Sequence, residues 1–170
     1  MAAGTKKAPR TPVTRAVIAL REAGVDFGQH PYAYEHRGGT RVSSRALGVD
    51  EHSVIKTLVM EDEAARPLIV LMHGDRTVST KQLARQLGVK RVTPCTPDIA
   101  ERHTGYQVGG TSSFGTRRTV DIYIETSIIG LDRLYINGGK RGFLVSMNPE
   151  QLELALPELH FVDVATERKA

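Results

Sequence analysis

Several things are scarce in this chain of 170 residues, and each scarcity closes off a class of function. A single cysteine, Cys95, precludes an internal disulfide and a cysteine-based metal cluster, and it fits a reducing compartment. No apolar run reaches the roughly 20 residues that span a bilayer, and the N-terminus lacks the basic-then-apolar pattern of a secretion signal. The expectation is a soluble, cytoplasmic protein with no membrane partner. Neither GxGxxG nor Gly-Lys-Ser/Thr occurs, which removes the dinucleotide fingerprint and the P-loop. The six histidines show no HExxH or other ligand spacing, so a metal site is not expected. Ser112 and Ser113 lie outside any GxSxG elbow, and no His/Asp pair can be assigned to them. Cys95, set among prolines, carries no sequence sign of activation. Internal repeats and low-complexity blocks are absent as well.

What remains is the composition of an ordinary soluble domain, 40% apolar and 25% charged. The net charge of +4 leans toward a polyanionic partner, although Lys6, Lys7 and Arg10 place part of it in the N-terminal segment. Residues 1–11 read as a flexible basic tail, 12–165 as one domain and 166–170 as a second tail.

Pro12 opens a helix in which Val13, Ala16, Val17 and Leu20 recur at helical spacing, and Gly24 ends it. Val25 to Glu35 is looser and extended. Thr40 to Leu47 is a short helix stopped by Gly48. Ser53 to Met60 and Pro67 to His73 are nearly continuous β-branched apolar runs around the acidic turn Glu61-Asp62-Glu63, and they predict a buried antiparallel pair. Helices are expected at Thr80 to Leu87 and Pro97 to His103, and strands at Thr119 to Glu125, Arg133 to Ile136 and Gly142 to Ser146. A last helix starts at Asn148-Pro149, before a closing strand at His160 to Val164. Two strand pairs lack a helix between them, which favours a mixed or antiparallel sheet with helices over a doubly wound one.

Two glycine clusters and one lysine carry the chemistry. Lys56 stands between Val54, Ile55, Leu58 and Val59, a run that implies burial on both faces. Either it extends its charge outward to water, or it faces a cavity or a partner charge. Gly105 to Gly110 is either a plain loop after a helix cap or a loop whose Val108, Gly109 and Gly110 amides point into a pocket and hold a carbonyl oxygen as it gains charge. Gly138 to Gly142 reads as a hairpin turn, with Lys140 and Arg141 exposed and well placed for phosphate. His36, beside Tyr34 and Glu35, is the one histidine retained as a pocket candidate.

Taken together, Val-Ile-Lys-Thr-Leu at 54–58, Thr-Gly-Tyr-Gln-Val-Gly-Gly at 104–110 with Ser112 and Gly115 following, and Tyr-Ile-Asn-Gly-Gly-Lys-Arg-Gly at 135–142 resemble the YbaK/EbsC family. These are single-domain trans-editing aminoacyl-tRNA deacylases related to the editing domain of bacterial prolyl-tRNA synthetases. The resemblance runs from about Pro12 to Ala165 and takes in Tyr34-Glu35-His36 and Lys81 to Gly88. It implies an α/β (α+β) fold, with a mixed, mostly antiparallel, barrel-like sheet surrounded by helices. It implies hydrolysis of the ester joining a mischarged amino acid to tRNA, Cys-tRNA(Pro) first among substrates, without metal or cofactor. Lys56, Gly109 and Gly110 take the catalytic places. Tyr34, His36, Tyr106, Val108, Ser112, Asn137, Gly138, Gly139, Lys140 and Arg141 take the substrate-binding ones. The implied partners are the acceptor end of mischarged tRNA and prolyl-tRNA synthetase. Three positions depart from the pattern: Ser113 replaces the family's usual proline, and Asn137 and Leu144 stand where the cysteine-specific members carry a serine and an aspartate, so the deacylase class is better supported than the particular amino acid. A non-catalytic tRNA- or synthetase-binding module of the same fold is the alternative reading.

Overall fold

A computed structural model describes residues 11–168. The tail expected at 1–11 therefore lies, apart from Thr11, outside the described residues. Helix α1 (Arg15–Glu22) is started by Thr14, whose hydroxyl accepts from Val17 N at 3.1 Å, two residues later than the Pro12 start expected. Then come β1 (Gly28–Pro31) in the segment read only as extended, α2 (Gly39–Leu47), and the central strands β2 (Val54–Asp62) and β3 (Pro67–His73). The short β4 (Arg76–Val78) and β5 (Val92–Pro94) flank α3 (Thr80–Leu87). Next are α4 (Pro97–Thr104), β6 (Asp121–Glu125), β7 (Leu134–Lys140), β8 (Phe143–Met147), α5 (Pro149–Ala155), β9 (His160–Val162) and β10 (Ala165–Glu167).

The main sheet has the order β1-β8-β7-β2-β3-β6-β9, with β5 also on β2, and β4 pairs separately with β10. It is mixed and mostly antiparallel: β2–β7, β3–β6 and β6–β9 are the parallel pairs among the described residues. Its edges, β1 and β9, stay apart in the pairing order, so it is an open sheet rather than a closed barrel. Side chains alternate across β2 and β3 as strand geometry requires. Ile55, Ile69 and Leu71 enter one core with Phe114, Ile136 and Val145, whereas Met60, Val70 and Met72 enter a second with Leu83, Val92 and Val164. Burial on both faces is why these runs lack polar alternation.

Strand β2 places the site. On one side it pairs with β3 from Ile55 to Glu61. On the other, β7 meets it only at Val54 and Ile55, and β5 only from Met60 to Asp62. Lys56, Thr57 and Leu58 thus have no strand neighbour on that side among the described residues.

The C-terminus is folded further than expected. Thr166 and Glu167 belong to β10, and Arg168 donates to Glu51 Oε1 at 2.6 Å, so the boundary at 165 and the tail at 166–170 are corrected as far as residue 168. The closing strand expected at His160 to Val164 ends at Val162. Buried Glu125 anchors the turn between β9 and β10: its Oε1 accepts from Val164 N at 2.8 Å and Ala165 N at 3.0 Å, and its Oε2 from Ser127 Oγ at 3.2 Å. Removing a buried acceptor leaves its donors unpaired, at about 1–3 kcal/mol each. Glu125→Ala is therefore expected to lower the unfolding free energy by about 2–4 kcal/mol, and Glu125→Gln, which keeps one oxygen acceptor, by clearly less. Urea titration of both variants checks this ordering.

Candidate active site

The opening beside β2 leads into a cavity of about 800 Å³. One wall is β2 from Val54 to Met60; the others come from Tyr32 to Ser43, from Thr77 to Thr80, from Pro94, Cys95 and Ala100, and from the loops at 108–111 and 137–144.

Lys56 is partly buried in this wall, and its Nζ donates to the Arg76 carbonyl. Burial above all, with the Arg168 charge adding to it, holds its pKa below the ordinary 10.5, while Glu51 and Asp75 pull the other way. The two carboxylates are themselves engaged. Glu51 takes the Arg168 ion pair and a bond from Thr40 Oγ1 at 2.9 Å, and Asp75 lies 2.7 Å from His52 Nδ1. The beginning of α2, the short turn before β2, and the β4–β10 pair thus converge on the lysine. Its neighbour Thr57 has a buried Oγ1 with no partner among the described residues.

The glycine loop is fixed from above and below. Asn137 Nδ2 donates to Gly109 O at 3.0 Å, and Arg141 Nε donates to Val108 O at 2.8 Å. The Arg141 guanidinium lies over the Tyr34 ring, 5.2 Å from its centroid, a cation–π contact. Beneath, Tyr106 OH donates to Phe114 O at 2.5 Å, and Ser112 Oγ accepts from Phe114 N at 3.1 Å. Gly109 has φ +88° and the Tyr34 hydroxyl 2.7 Å from where a Cβ would stand. Only glycine tolerates both conditions without a shift.

Of the expected site residues, Lys56, Tyr34, His36, Val108, Gly109, Asn137 and Arg141 line the cavity. Tyr106, Gly110, Ser112, Gly138, Gly139 and Lys140 do not. Tyr106 and Ser112 are buried supports, and Gly138 accepts from Thr14 Oγ1 at 2.5 Å. Gly139 N donates to Asn137 Oδ1 at 2.7 Å across a register shift in β7–β8. Lys140 is exposed at the end of β7. Gly110 is corrected in its role: its N–H donates to Gln107 O at 2.8 Å and is spent on a turn, whereas the Val108 and Gly109 amides have no internal partner among the described hydrogen bonds. The hairpin turn falls at Lys140 to Phe143, so Gly138 and Gly139 are bulged strand residues.

Residues not singled out as binding groups supply much of the wall: Val42, Thr57, Leu58, Met60, Cys95 and Leu144. Most are apolar and look like core in a linear reading; only the tertiary gap beside β2 turns them toward a cavity. Cys95 is no nucleophile, because burial and the nearby Glu61 carboxylate push its thiol up to about 11.

The fold and this site define an aminoacyl-tRNA editing protein. The aminoacyl-tRNA editing domain model matches residues 39–154, and the chain belongs to that family, whose members are hydrolytic enzymes. It is similar over 155 residues, 90% of its length and 93% of the relative's, to an Enterococcus faecalis protein named "Putative Cys-tRNA(Pro)/Cys-tRNA(Cys) deacylase EbsC", at 25% identity. A proline–tRNA ligase of Limosilactobacillus fermentum matches over 105 residues at 22% identity, covering 59% of the chain and 18% of the ligase. The crystal structure of "a putative trans-editing enzyme for prolyl tRNA synthetase" superposes with a TM-score of 0.77 at 19% identity, covering 91% of this chain and 96% of that one.

A Cβ on Gly110 would meet Arg141 N at 2.8 Å and the Lys140 carbonyl carbon at 3.0 Å, so the two loops pack backbone against backbone. Gly110→Ala is expected to cost about 1–3 kcal/mol by overpacking. Gly130→Ala, where a Cβ meets nothing within 4 Å, is the control and should be near neutral in the same urea titration.

Proposed function

We propose that the protein hydrolyses the aminoacyl ester of mischarged tRNA, with Cys-tRNA(Pro) the foremost substrate. The observation that carries this reading is one cavity holding both a partly buried ammonium, Lys56, and a glycine-loop amide, Gly109, that lacks an internal partner. Ester hydrolysis builds negative charge on the carbonyl oxygen. Preorganised donors at that oxygen lower the barrier most where water is excluded. In the proposed reaction a water oxygen attacks the carbonyl carbon and the tetrahedral oxyanion collapses. The bond to the ribose oxygen breaks, one proton of the attacking water ends on the ribose oxygen and the other passes to solvent, and the amino acid leaves as a carboxylate. The Gly109 amide faces the developing charge, and Lys56 holds the carbonyl or the terminal phosphate.

No side-chain nucleophile is called for. Ser112 and Ser113 are buried, and Cys95 keeps its proton, which leaves water or a hydroxyl or thiol of the substrate to attack. The apolar wall of Val42, Leu58, Met60 and Leu144 favours a small uncharged side chain on the amino acid, in keeping with cysteine. Arg141 and the exposed Lys140 stand at the rim as cations for the tRNA backbone. The name of the E. faecalis relative supports the substrate class, and that of the trans-editing structure supports prolyl-tRNA synthetase as a partner.

The test is release of amino acid from tRNA(Pro) charged with cysteine, alanine or serine. Lys56→Ala is expected to lower kcat/KM by about a hundredfold or more with circular dichroism unchanged. Binding of tRNA by the wild type without any release would replace this reading with that of a non-catalytic module.

The depressed pKa sets a sign for pH dependence. Lys56 is a cation below its pKa, so the enzyme-dependent rate falls as pH rises through a value under the ordinary lysine range. Lys56→Arg stays charged there, and whatever activity it retains should show no such fall. Spontaneous ester hydrolysis is subtracted at each pH. An identical alkaline fall in Lys56→Arg would assign the titration to another group.

A further inference from the structure

The chemistry above leaves the chain's lone thiol unused. In the antiparallel β2–β5 register, Glu61 faces Thr93, and Cys95 N donates to Val59 O at 3.0 Å. Glu61 and Cys95 are thus diagonal neighbours on one face of the pair. His103 reaches the same place from the last turn of α4. One donor atom of each residue, a carboxylate oxygen, the thiol sulfur and a ring nitrogen, lies within 4.8 Å of the other two. All three residues are partly buried, and His103 Nδ1 is enclosed with no hydrogen-bond partner among the described residues. An enclosed polar atom left unpaired calls for a ligand or a cause.

We propose that Glu61, Cys95 and His103 form a zinc-binding site that adjoins the cavity at Cys95. The donor chemistry selects the ion: thiolate and imidazole suit Zn²⁺, whereas Mg²⁺ and Ca²⁺ take oxygen ligands. Thiolate and carboxylate together carry two negative charges, which a divalent cation balances. On binding, the metal replaces the thiol proton, which passes to solvent. Bonds of about 2.0–2.3 Å to a tetrahedral ion set donors roughly 3.3–3.8 Å apart, so donors that all lie within 4.8 Å of one another need close by no more than about 1.5 Å. Three protein ligands leave a fourth position for water. Cys95 also lines the cavity, and Thr104 and Gly105, next along the chain from His103, open the loop that carries Gly109. A bound ion therefore fastens the end of α4 to β2 and braces that loop. The proposal stands apart from the deacylase reading, because its test measures metal alone.

Reduced, tag-free full-length protein is stripped with chelator and titrated with Co²⁺ by absorption and with Zn²⁺ by calorimetry. One ion per chain is expected, with a near-ultraviolet thiolate-to-cobalt band that zinc bleaches. Cys95 is the only cysteine, so that band reports on it alone. Cys95→Ser should abolish the band, and Glu61→Gln and His103→Gln should each weaken zinc binding by about tenfold or more. Urea unfolding of the metal-free variants keeps loss of ligation distinct from loss of fold. Absence of saturable binding overturns the site, and so does wild-type affinity in both Glu61→Gln and His103→Gln.

Discussion

A cation in the central strand is the constraint on which much of this structure depends. Removing an ammonium from water costs several kcal/mol unless other groups replace the lost hydration. Lys56 meets that demand with the Arg76 carbonyl and with two carboxylates, Glu51 and Asp75, in its surroundings. Each supporting group is itself held: Asp75 by His52, Glu51 by Thr40 and Arg168, and β4 by β10. The last strand of the chain thus secures the carbonyl that receives the lysine, and buried Glu125 secures the entry to that strand. A segment far from Lys56 in sequence becomes part of its environment.

The second determinant is a vacancy in strand pairing. β7 leaves β2 after Ile55 and β5 joins it only at Met60. Where a continuous strand would have sealed the sheet, the wall carries Lys56, Thr57 and Leu58 into a cavity. The opposite wall is a loop whose amides would be useless without a fixed direction. Asn137 and Arg141 supply that direction by binding the carbonyls of Gly109 and Val108, and the Tyr34 ring holds the arginine in turn. Asn137 and Arg141 connect the two glycine clusters mechanically: the β7–β8 turn grips the 105–110 loop.

Much of this was legible in the sequence where local rules dominate. The strand Pro67 to His73 and the helix Thr80 to Leu87 agree with the sequence reading to the residue, because an uninterrupted apolar run and a glycine, Gly88, that caps the helix in the left-handed conformation are short-range signals. β4 and β5 went unread, since three-residue strands are made by their partners and not by their own propensity. The same limit explains Gly110. Composition shows that its amide exists, whereas its commitment to Gln107 is a matter of loop geometry. Glu61, Cys95 and His103 have no motif spacing because they sit on a strand, a loop and a helix that meet only in the fold.

By itself the sequence determined the class of fold and the family and singled out a lysine and two glycine loops as candidates, because hydrophobic periodicity, caps and short motifs are written in neighbouring residues. The tertiary structure decided which of those residues touch the cavity, which only support it, and how far the lysine is drawn from water. Those outcomes turn on pairing vacancies, on single hydrogen bonds between distant segments, and on desolvation. Each is a property of three-dimensional surroundings that no window of sequence contains.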